Sequence, residues 1–200
     1  MATVTSPSAA MPTGPIFRLS VEQYHEMISS GILTDDDPVE LLEGLLVTKM
    51  PKNPPHRIAS QLTRESLTRS IPAGWHVHAQ DPITTDTSEP EPDVSVVRGN
   101  TRHYADRHPG PEVTALVVEV AESSLEHDRG RKKRIYARVR IPLYWIINLI
   151  DNKIEVYTNP SGSTKKPDYR QRRDYGPSDQ IPVMIDGKVV ARLKVRELLP

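Results

Sequence analysis

The chain has 200 residues, no cysteine, and equal numbers of basic and acidic side chains, 26 of each. This length suits a single domain, and the lack of cysteine excludes a disulfide framework and thiolate zinc sites. Zero net charge argues against a general polyanion binder. The charge is uneven, however: residues 1–100 hold seven Lys and Arg against thirteen Asp and Glu, and residues 101–200 hold nineteen against thirteen. The second half can therefore present a local basic surface.

The N-terminal segment MATVTSPSAAMPTGP lacks both the basic region and the apolar region of a signal peptide. We therefore expect a disordered tail over residues 1–15 and one domain over residues 16–200. The longest apolar run, IPLYWIINLI, is about half as long as a membrane span and contains Asn148. The sequence predicts a cytoplasmic protein with no membrane partner.

The first predicted elements are a helix and a hairpin. LSVEQYHEMISSGIL has helical spacing, and Ser20 with Gln23 three residues later matches a capping box. PVELLEGLLVTKMP predicts a hairpin that turns at Glu43-Gly44.

A second helix and three strands follow. Pro54 and Pro55 suit the first turn of a helix over PPHRIASQLTRESLTRS, with Ile58, Leu62 and Thr63 or Ser66 on one of its sides. Strand patterns then occur in GWHVHAQDPITT, EPDVSVVRG and ALVVEVAES.

The rest of the chain predicts one more helix and two hairpins. SLEHDRGRKKRIYARVR has helical spacing, and Pro142 ends it. One hairpin turns at Asp151-Asn152 and the other at Asp186-Gly187, while the polar residues 159–180 between them predict a loop. The order of elements predicts an α/β (α+β) fold with a mixed β-sheet core flanked by helices.

A carboxylate interrupts the most apolar predicted strand. In ALVVEVAESS, Glu119 stands among residues that indicate a strand buried on both faces, and burial of an unpaired carboxylate is costly. Asp93 begins another predicted strand, directly after Pro92. If the two strands are neighbours, both carboxylates reach one spot, where a divalent cation removes their repulsion. Because Mg²⁺ uses one or two carboxylates, waters and substrate phosphates, the pair predicts a magnesium site.

The helix that follows Glu119 supplies a cation. Counted from Leu125, its inward stripe includes Lys132 and Tyr136. An inward lysine can neutralise a buried acidic site or contact a scissile phosphate. Structural alternatives stay open: Glu119 can pair with a structural Arg or Lys, and Asp93 can serve as a turn residue after proline.

Together these residues resemble the Uma-two family of restriction endonuclease-like proteins, within the PD-(D/E)xK nuclease superfamily. The resemblance runs from about residue 18 to the C-terminus. Its carriers are VELLEG, PPHRIASQL, QDPI, EPDVSVVRG, LVVEVAESSLEHDRGRKKRIYA, IPLYWIINL and KIEVY. It implies a restriction-endonuclease-like fold and a Mg²⁺-dependent endonuclease, with Mn²⁺ as a substitute, that acts on nucleic acid, in the first instance DNA. A homodimer is compatible with the sequence.

The resemblance also implies roles for single residues. Asp93 matches the Asp of the P-D element, and Glu119 matches the acidic residue of the second half of the motif. The superfamily's usual lysine two positions later is replaced by Ala121. In this family a lysine of the following helix takes over, and Lys132 matches it.

Three further residues match recurrent family positions. His56 would orient a water or bind the substrate phosphate, Glu40 would be a third carboxylate at the metal, and Gln80 would hydrogen-bond a metal-bound water. Purely structural roles are the alternatives: capping or packing for His56, a solvent-facing strand position for Glu40, and a sheet-edge position for Gln80.

Departures from the family pattern keep a second function open. Leu45 and Leu143 stand where acidic residues are usual, and their loss can weaken a supporting shell. The alternative is a catalytically inactive nuclease-fold module that binds nucleic acid or a protein partner. Two basic clusters, residues 129–134 and 165–173, are candidates for phosphate contacts or for solvated surface, and an aromatic content of 5% gives little support to a stacking platform for single strands.

Overall fold

The structure, a computed structural model, describes residues 14–34 and 36–200. Apart from residues 14 and 15, the tail predicted at the N-terminus lies outside the described residues. Among the described helices, none has the length and apolar character that a membrane crossing requires.

A six-stranded mixed sheet forms the centre, with the strand order β3-β4-β5-β6-β7-β8. Only the β5–β6 pair is parallel, and a helical segment connects these two strands. All residues of β5 and β6 are buried, as expected for central strands covered on both faces. The strands are β3 (Trp75–His78), β4 (Val94–Arg98), β5 (Thr114–Ala121), β6 (Leu143–Asn148), β7 (Lys153–Pro160) and β8 (Tyr169–Tyr175). The structure thus confirms the predicted mixed sheet.

Each face of this sheet carries its own layer. Even-numbered residues of β5 such as Val118 pack with Leu67 of helix α2 (Pro54–Thr68) and with the hairpin of β9 (Gln180–Ile185) and β10 (Lys188–Lys194). The odd-numbered Val117 faces the other layer, where Tyr136 belongs to the helical segment after β5. Alternation along a strand divides the two cores.

The helical segment between β5 and β6 is composite. It begins with the short α3 (Leu125–His127), continues as a π-helical turn over Asp128–Lys132, and ends with α4 (Lys133–Arg138). The predicted helix is therefore present, but its centre is wider than an α-helix. π-Helical turns of this kind occur frequently at functional sites.

The N-terminal elements close one end of the sheet. Helix α1 (Val21–Ser29) has the predicted capping box, and β1 (Val39–Leu42) pairs with β2 (Leu45–Thr48) around the predicted turn at Glu43-Gly44. Glu43 contacts Arg134 and Arg138 of α4. The hairpin is thereby fixed to the helical segment after β5.

Three predictions about elements are corrected. The loop expected over residues 159–180 contains β8, an outer strand whose exposed charged side chains hide any apolar alternation. The strand expected over GWHVHAQDPITT is only β3, four residues long. Of the side predicted for α2, Thr63 and Ser66 are buried. Ile58 is 49% exposed, because the buried side is shifted toward Ala59 and Ser60.

Candidate functional site

Asp93 and Glu119 lie on neighbouring strands. Strands β4 and β5 are antiparallel with Val94 opposite Val118, so one step further along the ladder Asp93 lies beside Glu119. Both carboxylates are buried. The backbone N–H of Val120 donates to Oδ2 of Asp93 at 2.9 Å. The strands that carry Asp93 and Glu119 are therefore neighbours, as the predicted acidic pair requires.

The second helix and the loop before it supply two nitrogen partners for Asp93. Nε2 of His56 lies 3.1 Å from Oδ2 of Asp93, and Nζ of Lys52 lies 3.3 Å from Oδ1. His56 occupies the first turn of α2, where Asn53 caps the helix by accepting from the His56 N–H. Burial alone would raise the pKa of Asp93, but His56 and Lys52 hold that pKa below its ordinary value.

Lys132 joins two buried carboxylates. Its Nζ donates to Oε1 of Glu119 at 3.0 Å and lies 3.4 Å from Oε1 of Glu40. The hydroxyl of Tyr136, one helical turn later, donates to the same Oε1 of Glu119 at 2.7 Å. Since both donors use Oε1, Oε2 of Glu119 stays available to another donor or to a cation.

The cluster contains more negative than positive groups. Burial opposes the charge of Lys132, but Glu119, Glu40 and Asp128 outweigh it and raise the lysine's pKa, so the amine stays charged. Burial also raises the pKa of Glu119 well above its ordinary value against the pull of Lys132. In the same way burial raises the pKa of Asp128 to about 6. One buried cation among three buried carboxyl groups leaves the cluster able to take up protons or a further cation.

These groups line one cavity of about 240 Å³, which Asp93, Glu119, Lys132, His56 and Glu40 all reach. The donors are hard carboxylate oxygens, the type that Mg²⁺ and Mn²⁺ prefer. Within the described parts of the chain, no three His, Asp or Glu side chains are grouped closely enough to hold an ion by themselves. A magnesium site needs only one or two carboxylates, so the donor set fits, and the metal assignment stays a prediction.

Gln80 has a different position from the other predicted residues. It follows β3 rather than lying on a strand, and its side chain is exposed. It borders a second depression with Arg57 and Arg64, which Asp93 also lines. Its backbone N–H lies 3.3 Å from the carbonyl oxygen of Asp93. The contact of Gln80 with this region is therefore through the backbone, and its side chain is not part of the cavity.

Sequence reasoning assigned no role to three residues near the acidic pair. Tyr136 and Asp128 lie on the inward stripe of the helical segment, so the spacing that selected Lys132 could also have selected them. Lys52 lies in the loop before α2, where no periodicity operates, and nothing in the local sequence indicates its contact with Asp93.

Comparison with known proteins agrees with this architecture. The family model Uma2, described as "Putative restriction endonuclease", matches residues 21–186. A crystal structure described as a putative nuclease belonging to DUF820 from Anabaena variabilis superposes with a TM-score of 0.64. It is 13% identical and covers 90% of this chain and 97% of its own, which shows a common fold. No curated protein matches the chain significantly.

Proposed function

Because this chain belongs to the Uma2 family and has a nuclease fold, we propose that it is a divalent-metal-dependent endonuclease that hydrolyses phosphodiester bonds in DNA. The observation that carries the proposal is the buried contact between Lys132 and Glu119, residues thirteen positions apart, in a cavity that Asp93 also lines. A buried lysine among carboxylates is costly to maintain, which supports a use beyond stability.

Asp93 and Glu119 would hold the metal, and Glu40 would be the third carboxylate beside it. We propose Mg²⁺ as the ion, with Mn²⁺ as a substitute, because both accept carboxylate oxygens. When bound, such an ion supplies a lowered pKa for an attacking water and offsets charge on the phosphate. The pairing of Asp93 with His56 supports this role, since it keeps Asp93 ionised and in one orientation.

Lys132 would act on the phosphate and on the attacking water. Its raised pKa keeps the amine protonated, so it acts as a charge and hydrogen-bond donor and not as a general base. A fixed ammonium group in a buried site stabilises the negative charge that develops during phosphoryl transfer. Tyr136 would orient Glu119 through its 2.7 Å hydrogen bond.

The test is nicking of supercoiled plasmid DNA in Mg²⁺, with EDTA as the first control. We expect Glu119→Gln and Lys132→Ala each to lower the rate by about 10²-fold or more. Lys188→Ala, which removes an exposed lysine on the β9–β10 hairpin, should leave the rate unchanged. Wild-type activity in EDTA, or full activity of both site variants, would refute the assignment.

The second candidate is a module that retains the fold without catalysis. It is favoured by the lysine partners that both acids already have, Lys52 for Asp93 and Lys132 for Glu119. Isothermal titration with Mn²⁺ separates the two functions. The nuclease proposal expects wild-type binding at millimolar concentration that Asp93→Asn and Glu119→Gln abolish. Wild-type protein that takes up no ion would favour the module.

A further inference from the structure

Two basic clusters that are distant in sequence meet on the surface. Arg129, Lys133, Arg134 and Arg138 of the helical segment line a groove together with Lys165 and Lys166 of the loop before β8. The volume of this basic groove is about 560 Å³. Its position depends on β8, because the pairing of that strand with β7 brings the loop back to the helical segment.

The groove retains an excess of positive charge after its internal ion pairs are counted. Arg134 and Arg138 share Glu43, and Lys133 lies 2.9 Å from Asp168. Arg129 contacts Glu126, Asp151 and Glu155. Six cations therefore face five carboxylates, and Lys165 and Lys166 carry the excess. Lys165 and Lys166 are exposed, and neither has a carboxylate within 4.0 Å among the residues that the structure describes.

The groove lies next to the acidic cavity. The π-helical turn contributes Asp128 and Lys132 to the cavity and Arg129 to the groove. One short helical segment therefore separates a cluster with surplus negative charge from a groove with surplus positive charge. A polyanion held in the groove would pass close to the cavity.

We propose that the basic groove binds the phosphate backbone of duplex DNA and delivers it to the cavity; the delivery part rests on the proposed nuclease function. Flexible lysines suit phosphate contacts, which position a nucleic acid without reading its sequence. We infer duplex rather than single-stranded DNA because none of the described residues that line the basic groove is aromatic. Base stacking, the main contact of single-strand binders, is therefore missing. The ring of Tyr157 lies below Lys133, but Tyr157 is only 3% exposed, so it offers no surface for stacking a base.

The experiment measures binding separately from cleavage. A fluorescein-labelled 20-base-pair DNA duplex is titrated with the protein in EDTA over a range of salt concentrations, and anisotropy gives the affinity. We expect Lys165→Ala/Lys166→Ala to weaken binding about tenfold at low salt and to reduce the slope of log K against log salt by about 2. The matched control, Lys188→Ala/Arg192→Ala, removes two exposed cations from the β9–β10 hairpin and should bind like wild type.

The outcomes distinguish the two proposals. Groove-dependent duplex binding without plasmid nicking would support the groove and overturn the nuclease. Metal-dependent nicking with equal duplex affinity of wild type and groove variant would overturn the groove and leave the nuclease standing. Wild-type protein that does not bind the duplex, or that prefers single-stranded DNA or RNA of the same length, would also overturn the groove proposal. All four substituted positions are exposed, so folding should be unaffected, and thermal unfolding checks this.

Discussion

Asp128 should make the stability of the protein depend on pH. This carboxyl group is 2% exposed, and burial raises its pKa from 3.8 to about 6. Below pH 3.8 the group is protonated in both the folded and the unfolded chain, so it has no differential effect. Between pH 3.8 and 6 the folded chain keeps a proton that the unfolded chain releases, and stability falls as the pH rises. Above pH 6 the folded chain also ionises Asp128, and the loss of stability reaches its full size.

The size of the penalty follows from the shift. A difference of about two pKa units corresponds to about 3 kcal/mol. Lys132 favours ionisation of Asp128, whereas the nearby carboxyl groups of Asp93, Glu40 and Glu119 oppose it. Asp128→Asn removes the ionisation and keeps an oxygen that can accept the 2.6 Å hydrogen bond from Ser124. Because the unfolded chain is already partly ionised at pH 4, we expect the variant to be about 2.5 kcal/mol more stable relative to wild type at pH 8 than at pH 4.

Urea denaturation of both proteins between pH 4 and 8 measures this difference. Asp106→Asn, at an exposed position, is the matched control and should follow wild type at every pH. A free energy difference between Asp128→Asn and wild type that is constant with pH would refute the reasoning. So would a variant that becomes less stable relative to wild type as the pH rises.

Two further substitutions test other parts of the fold. Glu155→Gln should lower stability by about 3 kcal/mol at neutral pH, since it leaves Arg129 and Arg172 without their buried carboxylate. Because the pKa of Glu155 is lowered in the folded chain, this cost should shrink as the pH falls below 4.5, and urea denaturation measures it. Gly44→Ala should destabilise by about 1–3 kcal/mol, because its φ is +76° and a Cβ would lie 2.6 Å from Cβ of Arg18. In Gly187→Ala the φ is +74°, but an added Cβ would have no atom within 4 Å, so this variant should lose less stability. Thermal unfolding of both variants measures the two losses, and equal losses would contradict the steric argument.

The sequence predicted those parts of the fold that local chemistry determines. The Ser20 capping box and the hairpin turns at Glu43-Gly44 and Asp186-Gly187 appear where the pattern places them, because turn residues act over two to four positions. Strand β8 was missed for a physical reason. Its charged side chains are exposed, and its position depends on backbone pairing with β7, which leaves no periodic signal.

The candidate site shows the same division. Glu119 was recognisable because a carboxylate in an apolar strand needs a partner, and helical spacing then selected Lys132. Lys52 contacts Asp93 only through the tertiary fold. Gln80 was chosen by resemblance alone, and its side chain lies outside the cavity. Of the three residues that resemblance alone selected, His56 and Glu40 line the cavity and Gln80 does not.

Glu155 provides the comparison that makes Glu119 informative. The two glutamates lie on the same face of the sheet, because Ile146 of β6 is opposite both of them. Glu155 is completely buried, yet Arg129, Tyr157 and Asn148 donate to it and its pKa is lowered despite burial.

Glu119 is also buried, at 3% exposure. Among the described residues its donors reach one oxygen only, and its pKa is raised. A carboxylate whose oxygens are all satisfied stabilises the fold, whereas one that keeps an oxygen free beside a cavity is available for a ligand. Loss of Glu155 should therefore cost stability more than turnover per folded molecule, and loss of Glu119 should cost turnover more than stability. Nicking rates normalised to the folded fraction of Glu155→Gln and Glu119→Gln decide whether this distinction holds, because equal rates for the two variants would remove the reason for assigning Glu119 to the site.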